Sequence, residues 1–505
     1  MIAEWLAMPA LSPLVEQLPA LQVVIPLLMA PLIVVVGHAR TAWALALLSA
    51  LAAFACSIAL LVLVLNGGPI SYELGGWAPP WGIEYRVDLV NAFMLLIVAG
   101  SGAIILLYAP RSVDSEITRT RQTMFYALFT LCLTGLLGIL ITGDAFNVFV
   151  FLEISSLSTY ALIALGRDRR ALTAAFRYLI MGTIGATFYL IGVGLMYMVT
   201  GTLNIADMAE RWQTVSDPRP IYAAFGFLIV GLSLKAALFP LHLWLPNAYA
   251  YAPSVITAFL AATATKVSVY LILRVIFTIF GRDEVFGDLA IGYGLLLPAV
   301  AAVVLASLSA IFEQNVKRLL AYSSVAQIGY IVTGLTLATP TGLTAAMLHL
   351  FNHALMKGAL FCALGAIVYR VGAARLTSLA GLGWQMPYTS AAFVLAGLSL
   401  IGVPLTGGFV SKWYLVQAAI EYEMWWLVGA ILFGSLLAIV YIWRVVEVLY
   451  LQEAPAGRPP VKEAPAGLLL PTVGLALANV YFGVETSLPI NVAARSALSL
   501  LGLGE

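Results

Sequence analysis

The stretch MLHLFNHALMKGALF, residues 347–361, would suit a lipid bilayer except for three titratable side chains. His349, His353 and Lys357 fall at i, i+4 and i+8, so a helix stacks them in one stripe with about 6 Å of axial rise between neighbours. Imidazole titrates near ~6.5 and can take up and pass protons at physiological pH. A single buried histidine is more often a satisfied packing residue. Two histidines and a lysine on one apolar face favour a proton relay. The chain holds six lysines, and four of them, Lys235, Lys266, Lys357 and Lys412, lie in apolar runs. A charge at the bilayer centre costs about 2.5–3.5 kcal/mol. Four unpaired charges would therefore cost on the order of 10 kcal/mol, comparable with the stability of a whole domain. Snorkelling to the headgroups accounts for one such lysine more readily than for four.

Glu153, in FNVFVFLEISSLSTYALI, is the acid set deepest in an apolar run. Desolvation would neutralise it unless a base pairs with it, and Lys235 is the candidate partner. Such a pair can be poised, because burial and pairing push each proton affinity in opposite directions. The alternative is a static salt bridge that fixes helix packing. Lys266 (ATATKVSVY) would carry the line toward the histidine stripe, and Lys412 (GGFVSKWYL) would end it. His242 is an accessory candidate that could equally satisfy freed backbone. Tyr322, Ser155, Ser156, Ser323 and Ser324 could hydrate or bridge the path.

These groups need elements that cross a membrane. The composition is 62% hydrophobic and 10% charged, where soluble domains run near a quarter charged. Runs of about 20 apolar residues recur, each able to cross about 30 Å of hydrocarbon. We read an all-α polytopic protein of about fourteen transmembrane helices. Its seventh helix is interrupted at FPLHLWLP (239–246) and its twelfth at GVPLTGG (402–408), because proline removes a donor and clashes with the preceding turn. Broken backbone at membrane depth marks ion or substrate sites in transporters. NVFVFLEISS (147–156) echoes NVKRLLAYSS (315–324), and LTAA recurs at 172–175 and 343–346. The chain then divides into an N-terminal three-helix segment (1–115), two five-helix repeats (116–285 and 286–450) of inverted topology, and a C-terminal helix and tail (451–505).

Fifteen Lys and Arg fall on one side: Arg40, Arg111, Arg119, Arg121, Arg167, Arg169, Arg170, Arg177, Lys317, Arg318, Arg370, Arg375, Arg444, Arg458 and Lys462. Four (Arg86, Arg211, Arg219, Arg282) fall on the other, which is acid-rich. The positive-inside rule places the protein in the cell membrane with both termini on the non-cytoplasmic side. The N-terminus lacks a basic n-region, so no signal peptide is expected. The net charge of +1 argues against nucleic acid. Cys56, Cys132 and Cys362 show no CxxC or Cys/His spacing, and no phosphate loop or soluble domain is evident. We therefore expect no metal, no cofactor and no catalysis by this chain alone.

The stretches VFVFLEISSLSTY, SLKAALFPLHLWLPNAYAYAPSVITAFLAATATKVSVY, EQNVKRLLAYSSVAQIGY, HLFNHALMKGALF and GVPLTGGFVSKWYL occur in this order over about residues 90–450. In them the chain resembles the antiporter-like subunits of Mrp-type cation/proton antiporters, membrane-bound hydrogenases and respiratory complex I. The resemblance implies fourteen spans, inverted repeats and the two broken helices. It also implies a glutamate–lysine pair matched by Glu153 and Lys235, a central relay matched by Lys266, His349, His353 and Lys357, and a terminal lysine matched by Lys412. Complex I subunits commonly read Asp-Ala-His after WLP, where this chain has Asn247-Ala248-Tyr249. That departure, the KAALFP run and the length lean toward the D-type subunit of the Mrp branch, part of a multi-subunit Na⁺/H⁺ antiporter with other membrane subunits as partners. The alternative is a proton-pumping subunit of a complex I-like NADH:quinone oxidoreductase or membrane-bound hydrogenase, and so part of a translocase. A structural anchor without transport is the reading from another class. A solute symporter would need a polar pocket for an organic substrate, where the sequence offers mainly titratable groups in line.

Overall fold

The computed structural model describes residues 12–288 and 291–503. Among these, thirteen helices are long and apolar enough to cross a membrane. They are α1 (Leu18–Val36), α2 (Ala39–Gly67), α3 (Leu89–Glu116), α4 (Arg119–Ile141), α5 (Ala145–Ala164), α6 (Arg170–Thr200), α7 (Arg219–Ala236), α9 (Ser254–Phe280), α10 (Gly294–Phe312), α11 (Val316–Thr336), α12 (Pro340–Val371), α15 (Trp425–Tyr450) and α16 (Ala466–Val484). The short α8 (Leu245–Tyr251) follows α7. The expected twelfth span is two half-helices, α13 (Pro387–Ile401) and α14 (Gly407–Glu421), of 15 residues each. At about 22 Å neither can cross alone. A final helix, α17 (Ser487–Leu500), packs back on α12 and α3.

Helix starts follow local chemistry. Asp88 caps α3 by accepting from Asn91 N at 3.1 Å, and the Asn91 side chain accepts from Asp88 N at 2.8 Å. Asp144 caps α5 through Asn147 N (2.6 Å), and Asn315 caps α11 through Arg318 N (3.3 Å). The two breaks end differently. α7 stops at Ala237, a non-glycine residue at φ +56, and α13 stops at Gly402, at φ +93. The Trp244 indole donates to the Leu234 carbonyl at 3.0 Å, a second donor to a carbonyl that also accepts from Ala237 N at 3.2 Å, and so pins the end of α7.

One element departs from the all-helical expectation. Strands β1 (Ile70–Glu73) and β2 (Glu84–Val87) form an antiparallel hairpin with Ile70 opposite Val87. Tyr85 bridges to Thr142 and Asp144 bridges to Asn204, so the hairpin is tied to the start of α5. Burial separates inner from outer helices. In their most apolar windows α9 and α11 are 94% buried, against 28% for α16. α12 packs against α3, α9, α11, α13, α14, α16 and α17. The histidine stripe thus sits on the helix with most neighbours, away from lipid.

Candidate functional site

The first cluster joins α5 and α7. α6 and α7 meet at Gly185 and Gly231, where a Cβ on Gly231 would stand 2.6 Å from the Gly185 carbonyl oxygen. This close approach lies one turn before Lys235 on α7. Lys235 Nζ donates to Ser156 Oγ at 2.7 Å and stands 3.9 Å from Glu153 Oε1. Lys235 is buried, whereas the Glu153 side chain is 26% exposed. Glu153 Oε1, the atom facing the ammonium, is buried without a hydrogen-bond partner among the described residues, so in this arrangement the closest bond of Lys235 is to Ser156 rather than to the acid. A cavity of about 20 Å³ lies beside them, lined by Ser155, Ser156, Thr159, Lys235 and Ser268 among others. It has room for about one water.

The second cluster lies on α9, α11 and α12. Lys266, after a distorted turn at Thr263, donates to the Ala261 carbonyl. Lys357 donates to Leu320 O at 2.9 Å and to Ser323 Oγ at 2.5 Å. His349 and His353 stack with ring centroids 6.1 Å apart. His349 Nδ1 lies 2.8 Å from Ser411 Oγ and its Nε2 lies 2.9 Å from Gln327 Oε1. Both ring nitrogens of His353 are buried with no hydrogen-bond partner among the described residues. Lys266 lies within electrostatic reach of His349, His353 and Lys357.

Lys412, on α14, closes the line. It donates to the carbonyls of Leu400 and Ile401, each at 3.0 Å, and to Ser435 Oγ at 3.1 Å. It also stands 4.5 Å over the Tyr330 ring. The last carbonyls of α13 carry the negative end of that helix dipole, so a helix end takes the place of an acid. Asn352 donates to Gly407 O at 2.6 Å, tying this break to the histidine helix.

The four lysines and two histidines are all buried. Not every accessory candidate joins them. Ser155 and Ser324 bond backward to Leu152 O and Leu320 O on their own helices. His242 stacks on Phe239 and meets Tyr322 at 6.2 Å, away from the lysine contacts above. Lys317, counted with the loops, is instead buried and donates to Ala252 O at 3.1 Å. The cause is its place in the first turn of α11, a helix whose most apolar window is 94% buried.

Sequence reading also missed a cavity of about 420 Å³ on the acid-rich face. Glu84, Asp88, Arg274 and Tyr270 line it, with Ser499 and Gly502 from the C-terminal end. Arg274 and Asp88 pair at 2.6 Å, and Asn204 donates to Glu84 Oε2 at 2.8 Å. Burial pushes the Asp88 carboxyl up, but the Arg274 guanidinium and the bond from Asn91 outweigh it and hold it below the usual carboxylate range. Ile139 lines both this vestibule and the small Lys235 cavity. Val148 and Leu152 on α5, and Ser268 and Leu271 on α9, divide between them about one turn apart. The signal for Arg274 was an arginine in an apolar run with a distant aspartate ahead of a helix.

Residues 142–438, which carry both breaks and both clusters, match the family described as NADH:quinone oxidoreductase/Mrp antiporter, transmembrane. The chain belongs to that family. It is 42% identical over 455 residues to the N-type subunit of the NADH-quinone oxidoreductase of Desulforudis audaxviator, covering 88% of this chain and 90% of the relative. It is 29% identical to the D-type subunit of the Na⁺/H⁺ antiporter of Bacillus subtilis, over 87% of each. A chain of the membrane-bound sulfane sulfur reductase, an archaeal respiratory membrane complex, superposes with a TM-score of 0.88 at 32% identity, covering 96% of this chain and 98% of that one. As a member of the NADH:quinone oxidoreductase/Mrp antiporter family, this chain is an antiporter-like, ion-translocating, multi-pass membrane subunit.

Proposed function

We propose that the chain moves protons across the cell membrane as one subunit of a multi-subunit complex. The route runs along Lys235, Lys266, Lys357, His353, His349 and Lys412, with Glu153 setting the proton affinity of Lys235. One observation carries this reading. Six buried basic groups occupy the inner helices, and the first and last lysines each abut the end of a broken helix. The vestibule supplies a hydrated mouth on the acid-rich face, one helical turn from the Lys235 cavity. A neighbouring subunit would act by changing the 3.9 Å separation of Glu153 and Lys235.

The driving reaction belongs to the partners. The relation to the N-type oxidoreductase subunit at 42% identity supports proton export driven by redox chemistry in other subunits, against the lean of the sequence toward the D-type antiporter subunit. Asn247-Ala248-Tyr249 and the relation to the Bacillus subtilis antiporter chain support Na⁺/H⁺ exchange as the second reading. Purifying the tagged chain from its native membrane separates them. Flavin, iron–sulfur or nickel–iron subunits should co-purify under the first reading, and small antiporter subunits under the second. The transport claim itself is tested by Glu153→Ala and Lys235→Ala in the assembled complex. Both should abolish proton flux into proteoliposomes while assembly persists, and normal flux in both would refute the role of the pair.

A further inference from the structure

The proposed relay leaves three buried polar groups unused. Ser323 and Gln327 lie one turn apart on α11, and the buried Tyr441 hydroxyl on α15 is near enough to interact with both side chains without forming a hydrogen bond to either in this arrangement. The Tyr441 hydroxyl and Gln327 Nε2 are buried without a close hydrogen-bond partner among the described residues. Their donors and acceptors can be assigned from the contacts around them. Ser323 spends its one proton on Leu320 O at 2.9 Å and accepts from Lys357 at 2.5 Å. What Ser323 has left is a lone pair, which suits the Tyr441 O–H. The Tyr441 oxygen then accepts, and the group facing it is the Gln327 amide N–H. That turns Gln327 Oε1 toward His349, where it stands 2.9 Å from Nε2. An amide oxygen can only accept, so His349 Nε2 must carry the proton.

We propose that Ser323, Tyr441 and Gln327 form a positioning chain from Lys357 to His349, parallel to His353, that fixes His349 as the Nε2–H tautomer with Nδ1 as its proton-accepting atom. The inference rests on the transport reading and deepens it. Nδ1 faces Ser411 Oγ at 2.8 Å, and Ser411 precedes Lys412 on the same helix. Ser411 has two acceptors within reach, His349 Nδ1 at 2.8 Å and Gly408 O at 3.2 Å. When Nδ1 is bare, the hydroxyl donates to it. When Nδ1 takes a proton, the imidazolium donates to Ser411, whose own proton turns to Gly408 O. Both states of the hydroxyl have a partner. Proton exchange at His349 therefore takes place at Nδ1, the atom facing Ser411, while Nε2 stays bonded to Gln327. Because Lys357 bonds to Ser323, its ammonium is joined to this tautomer without passing through His353.

The test is nitrogen NMR of the full-length chain in lipid with ¹⁵N-labelled histidine. The protein has four histidines, so a His349→Leu difference spectrum assigns the signals. Protonated and bare ring nitrogens differ in shift and in one-bond N–H coupling. The wild type should show His349 protonated on Nε2 and bare on Nδ1. Gln327→Leu and Tyr441→Phe should each convert this to a mixture, whereas Gln327→Glu, whose carboxylate only accepts, should retain Nε2–H. If Gln327→Leu does not assemble, Tyr441→Phe decides, since it removes a single oxygen. An Nδ1–H tautomer in the wild type, or wild-type signals in Tyr441→Phe, would overturn the proposal. The readout does not depend on flux: loss of the transport reading would leave the tautomer pattern standing, and loss of the pattern would leave flux standing.

Discussion

At the scale of single residues, the two ends of the line solve one problem in two ways. Lys235 keeps a carboxylate nearby and a serine closer, at 3.9 and 2.7 Å. Lys412 has no acid among its contacts and rests on the carbonyl end of α13. The burial of the six basic residues in the line was legible because charge in an apolar run is costly and therefore conspicuous. Gln327, Ser411 and Tyr441 were not, because neutral polar residues are common in such runs and only their mutual distances single them out. The Asp88–Arg274 pair yields a residue-scale prediction. Breaking a buried pair costs about 3–5 kcal/mol, so Asp88→Asn should lower the thermal unfolding midpoint of the detergent-solubilised protein at pH 7. The native carboxyl titrates below its ordinary value of about 3.9. Its contribution is therefore complete above that pH and lost as pH falls through the lower native value. The gap between wild type and Asp88→Asn should close in acid, and a pH-independent gap would assign the loss to packing.

At the scale of elements, the breaks were legible because proline and glycine cannot continue a helix. The hairpin was not, because its strands ISYE and EYRV alternate polar and apolar residues over only four positions each, too short a run to stand out between two long apolar helices. We propose that the two five-helix units are inverted repeats. In support, Asp144 and Asn315 cap equivalent helices, and each of these caps bridges to a later residue, Asn204 and Arg375 respectively. Two glycines on α7 give a matched test of how that helix positions Lys235. Gly231→Ala puts a methyl against the Gly185 carbonyl and should cost about 1–3 kcal/mol with a loss of proton flux. Gly226→Ala meets nothing within 4 Å and should be neutral or stabilising by up to ~1 kcal/mol. Equal effects in melting and flux assays would show that the crossing does not set the depth of Lys235. The layer shared by the two cavities gives another prediction. Ile139→Ser should wet the gap between vestibule and lysine and raise passive proton leak in proteoliposomes, and an unaltered leak would mean that the layer is not the barrier.

At the scale of the whole molecule, the membrane class, the broken helices and the family were legible from composition and ordered motifs. The vestibule was not, because its wall is assembled from the hairpin, α3, α9 and the chain's last helix. The charge asymmetry of the loops predicts that a protease site placed after α17 is cut from the non-cytoplasmic side of intact cells. Cleavage only in inverted vesicles would reverse the assignment. The central claim is that the buried bases conduct rather than brace. Its most direct measurement is proton flux, under an imposed potential, through proteoliposomes holding the assembled complex with Lys357→Met or His349→Leu in this chain. Conduction predicts flux at background with assembly retained. Flux at the wild-type rate in both variants would contradict it and leave a structural anchor.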